Sequence, residues 1–489
     1  MSNITFSVVP NWIDGELSDP LGDRWMDKLN PHDSSFISKV ARSSDQDVFV
    51  AVKAANNAFN AWASLTAIQR GKFLGEIVRL MRERYKLIAG CVALETGKRL
   101  ADAEGETNGA ILQGEYWLSE GMRMYGHSLT SAIPNKTVFT VRKPVGVAAL
   151  IVPANTPIAN IAWKLFPALL CGNTVVMKAA EDAPNIARLI AEISRDAGLP
   201  PGVFNVINGE GAEAGKSLVL MDGVSLVSFT GSTAAGRWIA ENAGRKLLKV
   251  SLELGGKNPF IVCDDADIER AVNWASLSAF SNAGQRCSSG SRIIVFKNIY
   301  DEFKEKLLAK VNSLTLGTHS DSDLGPLINR PQWRRVLSAI NEAKEEGGDV
   351  ICGGLAPDCK NLEKGCYILP TIIEGLNMRS KFCSTEIFGP VASLHATSDL
   401  FEALALAEET EYGLTAAIHT KSIDRGMWFA QRVKTGVVNI NTGTFGSEPH
   451  MPFGGIGISG NGTREPGFEA LNVYTELQNI SVLARKELI

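Results

Sequence analysis

One cysteine of the chain lies in a setting that suits covalent catalysis. Cys287 occurs in the stretch SNAGQRCSSGS, whose small and polar residues directly precede the β-rich segment SRIIVF. Buried structural cysteines usually have apolar neighbours, as Cys263 does in FIVCDD. A thiolate needs an accessible backbone, nearby N–H donors and positive potential, and the adjacent Arg286 could supply the potential. We therefore predict a nucleophile at Cys287; the alternative is an inert thiol in a polar loop.

Two further residues could complete such a site. Glu253 ends an apolar run in VSLELGGKNPF, where burial should raise the pKa of its carboxyl toward that of a general base. The alternative is a strand-end Glu that pairs with Lys257 or points to solvent. Asn155 lies in IVPANTPI between two prolines, and its side-chain amide is a neutral donor suited to an oxyanion. The alternative for Asn155 is an ordinary turn.

A second group of residues suits a dinucleotide. In SFTGSTAAGRWIA a strand is followed by Gly231, Ser232 and the start of a helix, whose N–H groups suit a pyrophosphate. Lys178 and Glu181 follow the strand NTVVMK, where a doubly wound sheet binds ligands and a carboxylate can hold both ribose hydroxyls. The alternative for both is an ordinary surface charge.

A literal GxGxxG motif also occurs, at Gly455, Gly457 and Gly460. It lies between MPF and NGTREPG, with no strand pattern before it and no clear helix after it. A Rossmann fingerprint needs both neighbours, so we interpret this motif as unrelated to dinucleotide binding.

The elements that must position these residues follow from hydrophobic periodicity. Apolar residues recur at three- and four-residue spacing from Asp45 to about Leu100, which predicts helices. From Pro144 onward, β-rich runs alternate with helix-length segments; the runs are VGVAALIV, NTVVMK, VFNVI, VSLVSFT, KVSLEL and NPFIVC. The alternation resumes after Cys287 with SRIIVF, DVICGG, YILPTII, PVASLHA, LTAAIHT and TGVVNIN. Such strands predict parallel sheets covered on both faces, in two α/β units.

Composition limits the classes of function. With 489 residues, of which 45% are hydrophobic, the chain is too long for one core, and we expect two or more domains. The net charge of -4 is spread without a basic patch, which argues against nucleic acid as a partner. We see no membrane span and no signal peptide, so we expect a cytoplasmic protein. The eight cysteines lack the spacing of a metal site, and we predict none.

Taken together, these segments resemble the aldehyde dehydrogenase superfamily over nearly the whole chain. SLELGGKNP around Glu253 and NAGQRC around Cys287 look like the two active-site signatures of the family. Supporting matches, in the family's order and spacing, are WKLFPALLCGNTVVMK, FTGST, LGPLIN, EIFGPV, YGLTAAI and MPFGGIGISG. Each is weak or moderate alone, but the ordered set is specific.

The resemblance implies a mechanism. Cys287 would attack the aldehyde, and the Asn155 amide and the Cys287 backbone N–H would hold the thiohemiacetal oxyanion. Hydride transfer to a nicotinamide would leave a thioester, which Glu253 would hydrolyse by activating water. The presence of Glu253 argues against the branch of the family that releases its product to coenzyme A.

The resemblance also implies cofactor contacts. Glu386 and Phe388, in TEIFGPV, match the residues at the nicotinamide ribose and ring. Lys178 and Glu181 match the adenosine-ribose contacts, and Ser232 matches a pyrophosphate contact. Since a carboxylate at position 181 would repel a 2′-phosphate, NAD is expected as the cofactor, with NADP possible.

The family fold implies three parts and self-association. These are a Rossmann-like cofactor domain (about 1–125 and 145–255), a catalytic domain (about 256–465) and a β-arm (126–144 and 466–489). Pairing of arms between subunits would bury exposed sheet edges. A homodimer or a homotetramer is the expected state.

Departures from the family bear on the substrate. The family often has aromatic residues on both sides of the Asn155 position, where this chain has Ala154 and Thr156. Arg286 matches a position at the substrate funnel, and we hypothesise a small polar or anionic aldehyde with Arg286 as charge partner. The alternative is that Arg286 pairs structurally.

Other matching positions keep a second substrate class open. Trp163 and Phe453 are expected as apolar walls, and His450 borders the funnel. The run PHMPFGGIGISGNG also resembles members that act on aromatic aldehydes, so such a substrate is the runner-up.

Two rivals from other classes remain. A cysteine hydrolase would need a histidine base beside Cys287, and none of the six histidines lies in a supporting motif. A non-catalytic scaffold should have lost Cys287, Glu253 or Asn155, and all three are present.

Overall fold

The computed structural model describes residues 7–317 and 322–484, so the outermost residues of the predicted first segment (1–6) and arm (485–489) lie outside the described residues. The first strands of the described chain are β1 (Val8–Val9), β2 (Asn11–Ile13), β3 (Glu16–Ser18), β4 (Trp25–Leu29), β5 (Phe36–Ala41), β6 (Ser128–Leu129), β7 (Lys136–Pro144), β8 (Val147–Ile151), β9 (Thr174–Lys178), β10 (Phe204–Ile207) and β11 (Val224–Thr230). They are followed by β12 (Lys249–Glu253), β13 (Pro259–Val262), β14 (Arg292–Phe296), β15 (Asp349–Cys352), β16 (Thr371–Glu374), β17 (Val391–Thr397), β18 (Tyr412–Gly413), β19 (Thr415–His419), β20 (Val437–Ile440), β21 (Ile456–Gly457) and β22 (Thr475–Leu483).

The helices connect and cover these strands. They are α1 (Asp45–Ser64), α2 (Ala67–Glu83), α3 (Tyr85–Thr96), α4 (Leu100–Glu120), α5 (Pro157–Leu170), α6 (Pro184–Asp196), α7 (Lys216–Leu220), α8 (Thr233–Arg245), α9 (Ile268–Phe280), α10 (Tyr300–Asn312), α11 (Arg330–Glu345), α12 (Lys381–Ser384), α13 (Leu400–Glu408), α14 (Ile423–Ala430) and α15 (Ala470–Tyr474). Helices α1 and α2 begin at reciprocal capping boxes formed by Ser44 and Thr66. Helix α3 ends at Gly97 in the left-handed conformation, which turns the chain into α4.

The first large sheet has the strand order β12-β11-β8-β9-β10-β2-β3. The pairs from β12 to β10 are parallel, and β2 and β3 are added by antiparallel pairing. Strand β8 is buried throughout. Its residues alternate between two cores: Ala148 and Leu150 pack with helices α2 to α6, and Val147 and Ala149 pack with α1, α7 and α8. The sheet is therefore covered by helices on both faces.

The second large sheet has the order β15-β16-β17-β14-β13-β19-β20 and is parallel except for the edge strand β15. It too separates two cores, with Ile261 on one side of β13 and Phe260 and Val262 on the other. Glu253 ends β12 in the first sheet, and Asn258 directly precedes β13 in the second. The carboxyl edge of the first sheet thus leads directly to the amino edge of the second.

Three smaller sheets complete the fold. The largest of their strand pairs joins β7 to β22 antiparallel over nine residue pairs, from Pro144↔Thr475 to Lys136↔Leu483. This pair carries exposed apolar side chains, among them Leu477 and Val482. No helix within residues 7–317 and 322–484 is long and apolar enough to cross a membrane.

The predicted α/β fold with two mostly parallel, doubly wound sheets is confirmed. The assignment of the β7–β22 pair to self-association, and the domain limits given above, stay predictions.

Candidate active site

The chain before Cys287 adopts an unusual backbone. Asn282, Ala283 and Gly284 have φ values of 54°, 52° and 67°, in the left-handed region that residues with side chains rarely adopt. At Gly284 a Cβ would also lie 1.9 Å from the carbonyl oxygen of Gly389, so only glycine fits. Such strain persists only where the surroundings fix the backbone, which is typical of functional sites.

Hydrogen bonds from other elements fix this Cys287 loop. The amide of Asn258, at the start of β13, donates to the carbonyl oxygens of Cys287 and Ser289, each at 2.8 Å. Thr444 donates its hydroxyl to the carbonyl of Ser288 at 2.6 Å. Both carbonyls beside the thiol are therefore satisfied, and the backbone cannot rotate without breaking buried hydrogen bonds.

Asn155 and the Cys287 loop hold each other. Asn155 follows β8, and its Nδ2 donates to the carbonyl of Gln285 at 2.9 Å. In return, Asn282 Nδ2 donates to the Asn155 carbonyl at 3.2 Å. An amide nitrogen carries two N–H groups, so the second N–H of Asn155 remains available to a ligand. The structure thus brings together two of the residues singled out from the sequence.

Glu253 is almost completely buried at the end of β12. Neither carboxylate oxygen accepts a hydrogen bond from any described residue. Burial raises the pKa of this carboxyl well above its usual range, and the nearby Glu465 adds to the effect, against Lys164 and Arg464. The alternative pairing with Lys257 is wrong, because the Lys257 ammonium lies 5.0 Å from the centre of the Phe382 ring instead.

The GxGxxG run packs against the strand that ends in Glu253. The neighbouring Gly454 approaches the carboxylate so closely that a Cβ would lie 2.6 Å from Glu253 Oε1. Gly460 forms a β-bridge with Glu253, and the Leu254 N–H donates to the Ser459 carbonyl. The run therefore does not begin a helix for a pyrophosphate; the adjacent Gly454 permits close approach to the buried carboxylate, and Gly460 permits close approach to the backbone of β12.

The surroundings of the Cys287 thiol differ from the expectation. Burial raises its pKa to about 12, and the carboxylates of Glu386 and Glu253 act in the same direction. The guanidinium of Arg286 interacts with the thiol, and it lies over the ring of Phe445, 4.8 Å from the ring centre. Burial and the two carboxylates therefore outweigh the contribution of Arg286 to the pKa of the thiol.

Glu386 lies on the Gly255–Gly256 turn that follows Glu253. It accepts the Gly256 N–H at 3.1 Å, and a Cβ on Gly255 would lie 2.2 Å from Glu386 Oε2. Burial raises the pKa of Glu386 to about 7, against the Gly256 N–H and Lys257. Two residues later, Phe388 has a φ of 60°, and its carbonyl is held by the side-chain amide of Gln332 at 2.8 Å. Glu386 is close enough to influence the Cys287 thiol, and its Oε2 accepts no hydrogen bond from the described residues.

The remaining residues predicted for a dinucleotide lie along the first sheet. Lys178 donates to Glu181 at 2.5 Å; burial would raise the pKa of Glu181, but this ammonium lowers it below its usual value. Ser232 caps α8 by accepting the Ala235 N–H at 3.3 Å. The Gly231 N–H donates to the Glu253 carbonyl at 3.1 Å, so this N–H serves the sheet and is not available to a phosphate.

The predicted substrate residues fall into three settings. Trp163 and Phe453 form a tilted ring pair with centres 5.4 Å apart. Arg286 forms no ion pair with any described residue, and its Nε is buried without a hydrogen bond. His450 is exposed and lies 3.9 Å from Glu448.

A buried ion pair that sequence reasoning missed supports Asn155. Lys98 Nζ contacts Glu106 and donates to the Asn155 carbonyl at 2.7 Å. The two charged residues lie in the segment ETGKRLADAEGE, which contains none of the motifs that predicted the site. Asn258 was missed as well, although it lies within the same SLELGGKNP run as Glu253.

Histidine chemistry at Cys287 has no support among the described residues. Four histidine side chains contact other groups: His32 contacts Tyr367, His395 contacts Cys383, His419 contacts the Thr442 carbonyl and His450 approaches Glu448. Within the same part of the chain, no cluster of three or more potential ligands could hold a metal ion.

Comparison with known proteins agrees with this geometry. The sequence model of the aldehyde dehydrogenase family matches residues 18–480. The chain is 38% identical to an α-ketoglutaric semialdehyde dehydrogenase of Bacillus subtilis, over 96% of this chain and 97% of that protein. It is 37% identical to an NADP+ succinate-semialdehyde dehydrogenase of Escherichia coli, over 96% of this chain and 97% of that protein.

Solved structures give the same result. Betaine aldehyde dehydrogenase of Staphylococcus aureus, crystallised with NAD+, superposes with a TM-score of 0.95 at 33% identity, over 98% of this chain and 95% of that one. A family match over nearly the whole length, together with this structural agreement, is decisive. The chain belongs to the aldehyde dehydrogenase family, and its activity is that of an aldehyde dehydrogenase.

Proposed function

We propose that this enzyme oxidises a small anionic aldehyde to the carboxylic acid with NAD+, through a thioester on Cys287. The observation that carries the proposal is the mutual hydrogen bonding of Asn155 and the Cys287 loop, beside a buried Glu253 that no described residue bonds. A nucleophile, an oxyanion donor and a base are the three groups that this chemistry requires.

In the acylation half, the sulfur of Cys287 forms a bond to the aldehyde carbon as the carbonyl π bond breaks. The negative charge then lies on oxygen, within reach of the free N–H of Asn155 and the backbone N–H of Cys287, which bonds no carbonyl in the described chain. Since the thiol pKa is raised to about 12, its proton must leave as the bond forms. That proton passes to solvent, and the Glu253 carboxylate, whose pKa is also raised, remains the base for the second half.

The residues present fit a nicotinamide cofactor. Glu386, two residues before Phe388, offers ribose hydroxyls an oxygen that no described residue bonds. Lys178 and Glu181 offer paired charges to a second ribose. Ser232 offers a hydroxyl at the start of a helix, where a pyrophosphate can bind. When bound, the cofactor would supply the acceptor for the hydride that leaves the substrate carbon. We assign the cofactor domain to residues 1–125 and 145–255, and the catalytic domain to 256–465.

In the deacylation half, Glu253 accepts a proton from water, and the water oxygen attacks the thioester carbon. The C–S bond breaks, the sulfur takes the proton back from Glu253, and the acid leaves as the thiol and the carboxylate are regenerated. The strand end of Glu253 is rigid, because β12 pairs with β11 and with the glycine run on its other side. A carboxylate held without hydrogen-bond donors keeps its basicity for this step.

Charge around Arg286 supports an anionic substrate. Its guanidinium is attracted by Asp102 and Glu106, but Asp102 already pairs with Arg99, and Glu106 with Lys98. Three cationic groups thus face two carboxylates, and Arg286 is the one without an ion-pair partner. The semialdehydes named for the Bacillus subtilis and Escherichia coli relatives are anionic, which agrees with this charge balance.

Glu181 supports NAD+ over NADP+, since its carboxylate would repel a 2′-phosphate at that ribose. We assign the β7–β22 pair with its exposed Leu477 and Val482 to the contact between subunits of a homodimer or homotetramer. This pair would lie in the arm formed by 126–144 and 466–489.

A substrate panel tests the function. Reduced cofactor is followed by its absorbance with succinic semialdehyde, butanal and benzaldehyde, each with NAD+ and NADP+ in parallel. We expect the highest kcat/KM for succinic semialdehyde with NAD+. A preference for benzaldehyde would overturn the anionic assignment in favour of an aromatic substrate, and ester hydrolysis without any aldehyde oxidation would overturn the function.

A further inference from the structure

A buried ion pair lies behind Asn155. Lys98, which follows the left-handed end of α3, and Glu106, on the second turn of α4, leave only 4% and 6% of their side chains exposed. Burying two charges is expensive, and it is tolerated when both groups make further hydrogen bonds. The groups that accept or donate those further hydrogen bonds indicate what the pair does.

Both ends of the pair hold the chain beside Asn155. Lys98 Nζ donates to the Asn155 carbonyl at 2.7 Å. Glu106 Oε1 accepts the N–H groups of Ile158 and Ala159 at 3.0 and 3.2 Å. Helix α5 has no side-chain cap of its own at Thr156, so Glu106 caps it from another helix.

The pair therefore fixes the segment from both sides of Thr156. Lys98 holds the residue before it, and Glu106 holds the first helical turn after it. The Asn155 carbonyl has one more donor, Asn282 Nδ2 at 3.2 Å, which belongs to the strained turn of the Cys287 loop. With the carbonyl held from two directions, the amide of Asn155 can face the loop at the Gln285 carbonyl.

We infer that Lys98 and Glu106 act as a positioning unit that sets the Asn155 amide against the Cys287 loop. The inference rests on the proposed function, in which Asn155 donates to the oxyanion. Neither residue touches the reacting atoms; each acts through the Asn155 segment. Glu106 also attracts Arg286, so the same pair lies between the oxyanion donor and the proposed charge partner of the substrate.

A double-mutant cycle distinguishes positioning from simple stabilisation. Lys98→Met, Asn155→Ala and the double variant are compared by kcat with succinic semialdehyde and NAD+. Misplacing a catalytic group by about 1 Å costs up to ~100-fold, so Lys98→Met should lower kcat about 10- to 100-fold while the KM for NAD+ stays within about twofold. Added to Asn155→Ala, the same change should cost less than about threefold, because the group that it positions is gone.

A matched control is Lys304→Met, which removes a partly buried ion pair between α10 and β16, to Glu374 at 2.6 Å. It should leave kcat unchanged with and without Asn155. Should Lys98→Met fail to fold, Glu106→Gln takes its place, since its amide oxygen still accepts the Ile158 and Ala159 N–H groups while the charge on the pair is lost. The same non-additivity is expected.

The outcomes separate the two proposals. Non-additive losses support the positioning unit. Additive losses overturn it and leave the proposed function intact, because Asn155→Ala alone still lowers kcat. If Asn155→Ala has no effect, the oxyanion assignment in the proposed function fails, and the positioning unit fails with it.

Discussion

Replacing Arg286 with methionine should change the substrate preference rather than the chemistry. Methionine keeps an apolar stem against Phe445 but removes the guanidinium. Two unit charges about 4 Å apart interact by ~4 kcal/mol at an effective dielectric constant of ~20. Desolvation of the substrate carboxylate offsets part of this attraction, which leaves about 2 kcal/mol, the usual scale of a charge-assisted hydrogen bond.

An energy of about 2 kcal/mol corresponds to a factor of ~30 in kcat/KM. We therefore expect Arg286→Met to lower kcat/KM for succinic semialdehyde by about 30-fold and for butanal, a neutral aldehyde of equal length, by less than ~3-fold. The control is Arg425→Met, which breaks a pair with Asp264 and Asp265 beyond the far end of β13. Equal losses for the two aldehydes in Arg286→Met would refute the charge-partner role.

Three further predictions concern cofactor choice, the thiol and pH stability. Glu181→Ser should raise the ratio of kcat/KM for NADP+ over NAD+ about tenfold or more. The substitution removes the charge that repels a 2′-phosphate and releases Lys178 from its ion pair. An unchanged ratio would contradict this role of Glu181. Without cofactor, the rate of Cys287 alkylation by iodoacetamide should rise about tenfold per pH unit from about pH 7 to about pH 10. The thiolate is the reacting form, and the pKa of this thiol is raised to about 12. A plateau of the rate below about pH 8 would exclude that pKa. Burial raises the pKa of Glu95 from 4.5 to about 7, so the folded state binds its proton more tightly than the unfolded state does. This contribution to the free energy of unfolding is fully present at low pH. About 3 kcal/mol of it is lost as pH rises from about 4.5 through 7. Glu95→Gln should therefore show a smaller fall in Tm between about pH 5 and about pH 8 than the parent enzyme, and an equal fall would argue against it.

The architecture was predictable from local pattern. Near-continuous Val and Ile runs such as β8 and β9 are buried on both faces, and that composition alone predicts parallel strands between helices. The position of Cys287 in a loop of small residues before β14, and of Glu253 at a strand end, followed from the same reading. Pairing near the sheet edges was less accessible: DVICGG was predicted as a strand but its antiparallel pairing was not, and the short strand β2 was not predicted.

The tertiary contacts that position the active-site residues could not be predicted from local sequence. Lys98 and Asn155 are far apart in the chain, and nothing in either segment indicates that one donates to the other. The left-handed backbone of Asn282 and Ala283 has no sequence signature, because neither residue requires it. The raised pKa of the Cys287 thiol was beyond prediction for the same reason: Arg286 is adjacent in sequence, but the burial and the carboxylates of Glu253 and Glu386 come from the fold.

The glycine run at Gly455–Gly460 shows how context decides a motif. Its spacing matches a dinucleotide fingerprint, yet the structure places it against the backbone of β12, with the adjacent Gly454 at the Glu253 carboxylate. Among the described residues no strand directly precedes the motif and no helix directly follows it, as the sequence pattern predicted. The close approach of Gly454 to a buried acid follows only from the tertiary structure.

The most direct test of the account is to trap the acyl-enzyme. Glu253→Gln is mixed with succinic semialdehyde and NAD+, and intact and peptide mass spectrometry are applied to the quenched protein. Because deacylation needs the carboxylate, we expect a burst of about one reduced cofactor per site and a mass increase on Cys287 equal to the aldehyde less two hydrogens. Cys287→Ser should show neither. Steady turnover at the parental rate, or the absence of any adduct on Cys287, would contradict the thioester mechanism.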